Sequence, residues 1–166
     1  EPGQVWRAGV HWDRYTLSSH RYSTTDWRIG AAGALTTASE GQTETSALWI
    51  EDKISIGQTA DFTLGVRAER WRAFDGLNYS ASPALNVTQP ELSASRVSPK
   101  AVFEWRPQEA WTFSASVGDA YRFPTVSELY QAVTTGATLS TPNPNLNPEH
   151  ATSGELTVQR DWRGGG

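Results

Sequence analysis

Apolar and polar residues alternate with period two along much of the chain, the pattern of strands whose two faces meet different surroundings. In residues 5–15, Trp6, Ala8, Val10 and Trp12 share one face, and Arg7, Gly9, His11 and Asp13 the other. Residues 46–56 set Leu48, Ile50 and Ile54 against Glu51 and Lys53, with Asp52 interrupting the apolar side. Residues 61–74 set Phe62, Leu64, Val66 and Ala68 against Thr63, Gly65, Arg67 and Glu69. The pattern returns in residues 97–106 (Val97, Ala101, Phe103, Trp105) and 111–121 (Trp111, Phe113, Ala115, Val117). It returns again in residues 152–162 (Leu156, Val158, Trp162), where Arg160 falls on the apolar face. The expected fold is all-β: an antiparallel up-and-down sheet of about six strands.

The connections are of two kinds. Long polar stretches run over residues 16–45, 75–95 and 122–151, with residues 27–35 expected to extend the strands past the apolar zone. Short turns are expected at residues 57–60 and 107–110. Trp6, Trp105, Trp111 and Trp162 fall on the apolar face beside short turns or chain ends, and Trp12 and Tyr121 sit toward the opposite end. Long loops at one end, short turns at the other and an aromatic belt describe a transmembrane β-barrel. Trp49 and Trp71 have the wrong parity for such a belt. The alternative, a soluble β-sandwich that binds carbohydrate or another ligand through exposed aromatics, accounts equally for the alternation, but not for tryptophans lining one edge.

Composition narrows the function classes. The 166 residues contain no Cys, so there is no disulfide framework, thiolate metal site or Cys nucleophile. A net charge of −4 argues against a nucleic-acid partner. No run approaches the ~18 apolar residues of a spanning helix, and no charged segment followed by an apolar one marks a leader. Nucleophile-elbow, phosphate-loop, zinc-protease and dinucleotide motifs are missing. His11, His20 and His150 lie on different expected elements, and no carboxylate pair stands out. No enzyme, cofactor or metal site is expected. Glu51, Lys53, Arg67, Glu69, Lys100, Glu104 and Glu155 are read as polar-face charges that pair with one another.

The most specific stretch lies between residues 119 and 155. Pro124 pushes Phe123 out of the helical region. Thr125 and Glu128 are spaced as a capping box, which predicts one or two helical turns held down by Leu129 and Tyr130. Pro142, Pro144 and Pro148 alternate with Asn143, Asn145 and Asn147, a stiff extended strap. The order Tyr121-Arg122-Phe123-Pro124-Thr125, Glu128-Leu129-Tyr130, Asn143-Pro144-Asn145-Leu146-Asn147-Pro148-Glu149 and Glu155 closely resembles the signature of the barrel domain of TonB-dependent outer-membrane receptors. Phe123 and Asn147 depart from the residues usual there. Val97-Ser98-Pro99-Lys100, Trp49-Ile50-Glu51-Asp52 and Leu64-Gly65-Val66-Arg67 are similar to strand segments of that family.

The resemblance implies a bacterial outer-membrane active transporter of a scarce nutrient, most often a ferric siderophore, driven through the TonB complex. Outer-membrane lipid and the metal chelate are the implied partners. Six strands are too few to close a barrel, since such barrels have ~8 strands at least and plugged transporters ~22. Residues 1–166 are therefore read as a fragment of the barrel domain, without the N-terminal plug through which TonB acts. Asn78-Tyr79-Ser80 and Asn86-Val87-Thr88 match the N-glycosylation pattern, which has no meaning in such a protein. Gly164, Gly165 and Gly166 are read as a truncation scar. Arg21, Tyr22, Trp27 and Arg122 are the candidate ligand contacts, because a guanidinium grips carboxylate or catecholate oxygens and an aromatic stacks on a planar chelate. The signature residues Tyr121, Arg122, Pro124, Glu128, Leu129, Tyr130, Asn143, Pro144, Leu146, Pro148, Glu149 and Glu155 are assigned structural roles.

Overall fold

The computed structural model describes residues 3–135 and 138–162; Gly164, Gly165 and Gly166 lie outside the described residues. The chain forms β1 (Gln4–Tyr22), β2 (Leu35–Ile56), β3 (Ala60–Ala81), β4 (Ala84–Thr88), β5 (Leu92–Gln108) and β6 (Trp111–Arg122). A helix, α1 (Val126–Tyr130), and the short strands β7 (Val133–Thr135) and β8 (Thr138–Ser140) follow, and β9 (Glu149–Arg160) ends the fold. The main sheet has seven strands in the order β1-β2-β3-β5-β6-β9, with β4 paired to β3 beyond the end of β5. All its pairings are antiparallel. It is a single layer, not two packed sheets as a sandwich requires.

The strands are longer, and the loops shorter, than the alternation predicts. β1 continues to Tyr22 and β2 begins at Leu35, so the expected loop over residues 16–45 shrinks to residues 23–34. Residues 27–34 form its tip, not a strand extension. Likewise, most of residues 75–95 belongs to β3, β4 and β5. These upper segments carry polar residues on both faces, so hydrophobicity does not alternate there. Pro107 lies within β5 at a bulge between Trp105 and Gln108, which shortens the expected turn to Glu109-Ala110. The short β7–β8 hairpin replaces part of the expected irregular spacer.

Pairing register carries the alternation across the sheet. Val10, Leu48, Ala68 and Val97 form one outward row, and Gln4, Ile54, Phe62, Phe103, Ala115 and Leu156 draw on a lower one. Val10 and Leu156 are 83% and 85% exposed, so this apolar face has no protein cover. The belt tryptophans mark its lower limit: Trp105 contacts Phe113 at 5.6 Å and Trp111 stacks on Phe113 at 6.0 Å. On β2 the apolar stretch from Leu48 to Ile56 is about 27 Å of strand, comparable with the ~25 Å apolar band of a barrel.

The core lies on the inward face. There α1 packs over Trp71 and Ala73, with Val126, Leu129 and Tyr130 buried and Leu17, Leu92, Ala94, Phe123 and Leu146 around them. Phe123 stacks on Trp71 at 5.8 Å, which explains the inward parity of that tryptophan. Tyr130 fills a slot that glycines open. A Cβ at Gly76 would stand 2.5 Å from Tyr130 Cε1, and one at Gly41 would overlap the ring. Gly41 faces Asp75 and Gly76 across a bulge in the β2–β3 ladder, where Asp75 takes φ +56°. Asn78, 1% exposed, donates from its amide to the Tyr130 carbonyl at 2.6 Å and accepts from Gln89 at 2.9 Å. That burial leaves Asn78 no role as a glycan acceptor.

Gly41→Val should expel the Tyr130 ring and undock α1. Tyr130→Ala should remove about 3–5 kcal/mol of docking energy, as large aromatic truncations do. Limited proteolysis of the intact protein in detergent checks both: each variant should be nicked faster between residues 131 and 141, with the strands still protected.

Candidate functional site

α1 starts where its sequence says it should. Thr125 is the N-cap, in extended geometry at φ −78° and ψ 159°, with Pro124 buried before it. The Glu128 backbone N–H donates to Thr125 Oγ1 at 3.3 Å, and the Thr125 N–H donates to Glu128 Oε2 at 2.8 Å. This reciprocal box satisfies donors that a helix of five residues cannot pair internally.

The same Glu128 carboxylate meets Arg122 at the end of β6. Arg122 Nη1 donates to Glu128 Oε1 at 2.9 Å. Its other edge grips Glu149 at the start of β9 in a two-bond fork, Nε to Oε2 at 2.9 Å and Nη2 to Oε1 at 2.7 Å. Arg122 and Glu149 also face each other across the β6–β9 ladder. One guanidinium thus joins the last residue before the signature loop, the loop's helix and the first residue after it. The Thr125 N–H and then Arg122 hold the Glu128 carboxyl below its ordinary 4.5, and Arg122 lowers Glu149 in the same direction. The strap between them turns at Asn143, whose Oδ1 accepts the Asn145 N–H at 3.0 Å, and it inserts Leu146 beside the α1 core.

Below this cluster the inward wall is charged. Glu51 pairs with Lys100 at 2.6 Å and Arg7 at 3.2 Å, Lys53 with Asp61 at 3.1 Å, and Arg67 with Glu69 at 2.8 Å. Arg106 pairs with Glu104 and Asp61. Trp49, the second tryptophan of inward parity, lies over Gly9, where a Cβ would stand 2.7 Å from its Nε1. Arg7, Trp49, Glu51, Arg67, Glu69 and Lys100 line an open concavity of about 560 Å³. Glu155, by contrast, is exposed on β9 and accepts from Thr157 at 3.0 Å. His11 contacts Asp13, His20 contacts Glu40, and His150 stacks on Tyr121 at 4.6 Å. Among the described residues no cluster of His, Cys, Asp or Glu has the makings of a metal site.

The candidate ligand contacts are not brought to one place. Arg21 and Tyr22 are consecutive at the end of β1, so they point to opposite faces, and Tyr22 lies beside His20 at 6.4 Å. Trp27 is 80% exposed on the loop tip, with the Arg28 guanidinium 5.9 Å from its ring centre. Arg122 is engaged by its two carboxylates. Sequence reasoning missed Gly41, Gly76, Trp71 and Asn78, which build the seat of α1. An isolated glycine inside a strand pattern signals close approach, but Gly41 and Gly76 fall in stretches whose polar sequence reads as loop, where a glycine carries no such signal.

The family model described as TonB dependent receptor-like, beta-barrel, matches residues 2–166. No curated protein matches the chain.

Two predictions follow from this geometry. Glu128 and Glu149 are both depressed acids, so their contribution is complete above 4.5 and lost as pH falls through their lowered folded values. Nicking of the signature loop in the intact protein should therefore stay flat on acidification to that point and rise only below it. Arg122→Gln should raise nicking already at neutral pH. The faces make the second prediction: Leu64→Arg, in the apolar band, should cost about 2–4 kcal/mol of stability in bilayers and Thr63→Arg much less. Chemical denaturation of both variants compares them directly.

Proposed function

This chain belongs to the TonB-dependent receptor-like β-barrel family, and from that premise we propose that residues 1–166 are wall and outer loops of a larger barrel of about 22 strands that imports a ferric siderophore. The family acts in outer-membrane, TonB-dependent transport; its members are transporters rather than enzymes. The plug and the segment that engages TonB belong, in this reading, to other parts of the receptor. The observation that carries it is the pairing of a bare apolar face, bounded by tryptophans, with an inward face of paired charges. Such a sheet is stable only where lipid covers the first face and the rest of the receptor the second.

Within this reading Arg122, Glu128 and Glu149 are scaffold. Each hydrogen-bonding edge of the Arg122 fork is committed to a carboxylate that orders the loop, which favours a structural role over ligand capture. Arg21 and Trp27 are the ligand contacts this segment supplies from the outer rim; Tyr22, on the opposite parity to Arg21, lies beside His20 instead.

Receptor-deficient cells expressing the intact protein should take up radio-iron as a ferric siderophore, and uptake should collapse when TonB is removed. Arg21→Ala with Trp27→Ala should weaken binding several-fold, whereas Arg122→Gln should alter loop nicking first. Uptake of haem or cobalamin but no ferric siderophore would overturn the substrate assignment.

A further inference from the structure

We propose that the freed edge of β5, residues 95–99, takes up an extended acidic peptide segment of the same receptor from outside residues 1–166, which adds to it as a further strand from the inward side. The inference rests on the reading of this sheet as part of a larger outer-membrane barrel. Ladder geometry fixes which backbone groups are free. Arg106 donates its N–H to the Thr59 carbonyl, so even-numbered residues of β5 turn their backbone groups to β3 and odd-numbered ones to β6. Asp161 donates to the Ala110 carbonyl, which turns the odd-numbered residues of β6 toward β5. The β5–β6 ladder nevertheless stops at Lys100 and Gly118. Above it, Ser95, Val97 and Pro99 on one side and Asp119 and Tyr121 on the other direct backbone groups into the seam. Among the described residues no backbone hydrogen bond crosses it. Pro99 has no N–H to offer at the fork.

A membrane wall does not tolerate such a seam unfilled, because lipid offers these groups no partner. The seam opens on the inward concavity of about 560 Å³, which Ser98, Asp119, Ala120 and Tyr121 line together with Arg67 and Lys100. Two side chains beside it are unspent. Ser98 Oγ is buried and has no hydrogen-bond partner among the described residues. Arg96 donates from Nη1 to the Ser95 carbonyl at 2.8 Å and lies 5.6 Å from the centre of the Tyr121 ring. No carboxylate meets Arg96 among the described residues. Its ladder neighbour Glu69 is held by Arg67 at 2.8 Å, and Asp119 by Thr152 at 2.6 Å. Arg96 thus stands in for the N–H that a paired strand would give Ser95, and its charge is left for an acidic side chain. Alternating N–H and C=O groups along an extended edge are matched by another extended backbone. The occupant belongs to the same polypeptide, because a wall in lipid needs these hydrogen bonds at all times and a transient partner does not supply them.

The test places a benzophenone photo-crosslinker at Ala120, across the seam from β5, in the intact receptor in outer membranes. Mass spectrometry then identifies the joined peptide. An acidic segment from outside residues 1–166 should be the main product. Arg96→Glu should cut its yield about tenfold, and Arg96→Lys should keep most of it. The Val97 and Tyr121 amides should exchange hydrogen as slowly as the paired Ala101 and Val117. Joining only to residues 95–99 would show a seam that closes on itself, and joining to residues 142–148 a seam filled by the proline strap; either overturns the proposal. So does the absence of any joined peptide, or exchange at Val97 and Tyr121 as fast as in residues 23–34. Equal yields from Arg96→Glu and Arg96→Lys would overturn the acidic assignment. Heat-modifiable migration reports folding of each variant. Spin labels at Leu64 and Thr63, in the same membranes, separate the two levels of failure. Equal accessibility of both to a lipid-soluble quencher rejects the membrane-wall reading itself, whereas a lost cross-link with Leu64 alone accessible rejects only the added strand.

Discussion

Hydrocarbon supplies no hydrogen-bond partners, so a backbone crossing it must pair every amide with a neighbouring strand. That constraint organises this molecule. Six long strands share antiparallel ladders, and the period of two then decides what each face meets. The outward rows are apolar through the band and leave it through tryptophans below and arginines above. The inward face can be polar because nothing there touches lipid, and its charges neutralise one another in pairs. Asp52, the carboxylate that interrupts the outward face, stands between Trp6 and Leu64 in the ladders and is met by the Gln4 amide at 2.8 Å.

A single layer has no second sheet to pack against, so its own core must come from somewhere else. The chain supplies it with the signature loop. β6 leaves β5 above the Lys100–Gly118 pair, beside Pro99, which has no N–H to continue the ladder. The freed end carries Phe123, α1 and the strap inward onto β1, β2 and β3, where Trp71, Leu129 and Tyr130 join one buried apolar cluster. The Gly41 and Gly76 opening and the Asp75 bulge shape the wall to the helix. Arg122 then closes the loop electrostatically at its base. Packing and clamp are complementary: the first gives the helix its seat, the second fixes where the chain departs and returns.

Much of this was legible in the sequence because its causes are local. Period-two alternation set the number of main strands, their antiparallel order, the assignment of residues to faces and the position of the belt tryptophans. The Thr125 and Glu128 spacing and the prolines set the helix start and the strap. Arg122, Glu128 and Glu149 were given structural roles through the signature they belong to, without their contacts. The upper halves of β1, β2 and β3 and the β4 hairpin were not legible, since strands that clear the membrane have water on their outward side and lose the hydrophobic alternation that marks them.

Tertiary structure alone decided the rest, because it depends on which residues of different strands stand opposite one another. Trp49 and Trp71 looked like misplaced belt residues until the register put a glycine beneath one and a helix over the other. Asn78 looked like part of a glycan motif until burial against the Tyr130 carbonyl gave it a structural partner. Arg14, Glu44 and Arg72 are remote in sequence and become neighbours only through two ladders. Alternation along one strand determines which face a side chain takes; only the pairing of strands determines its company there.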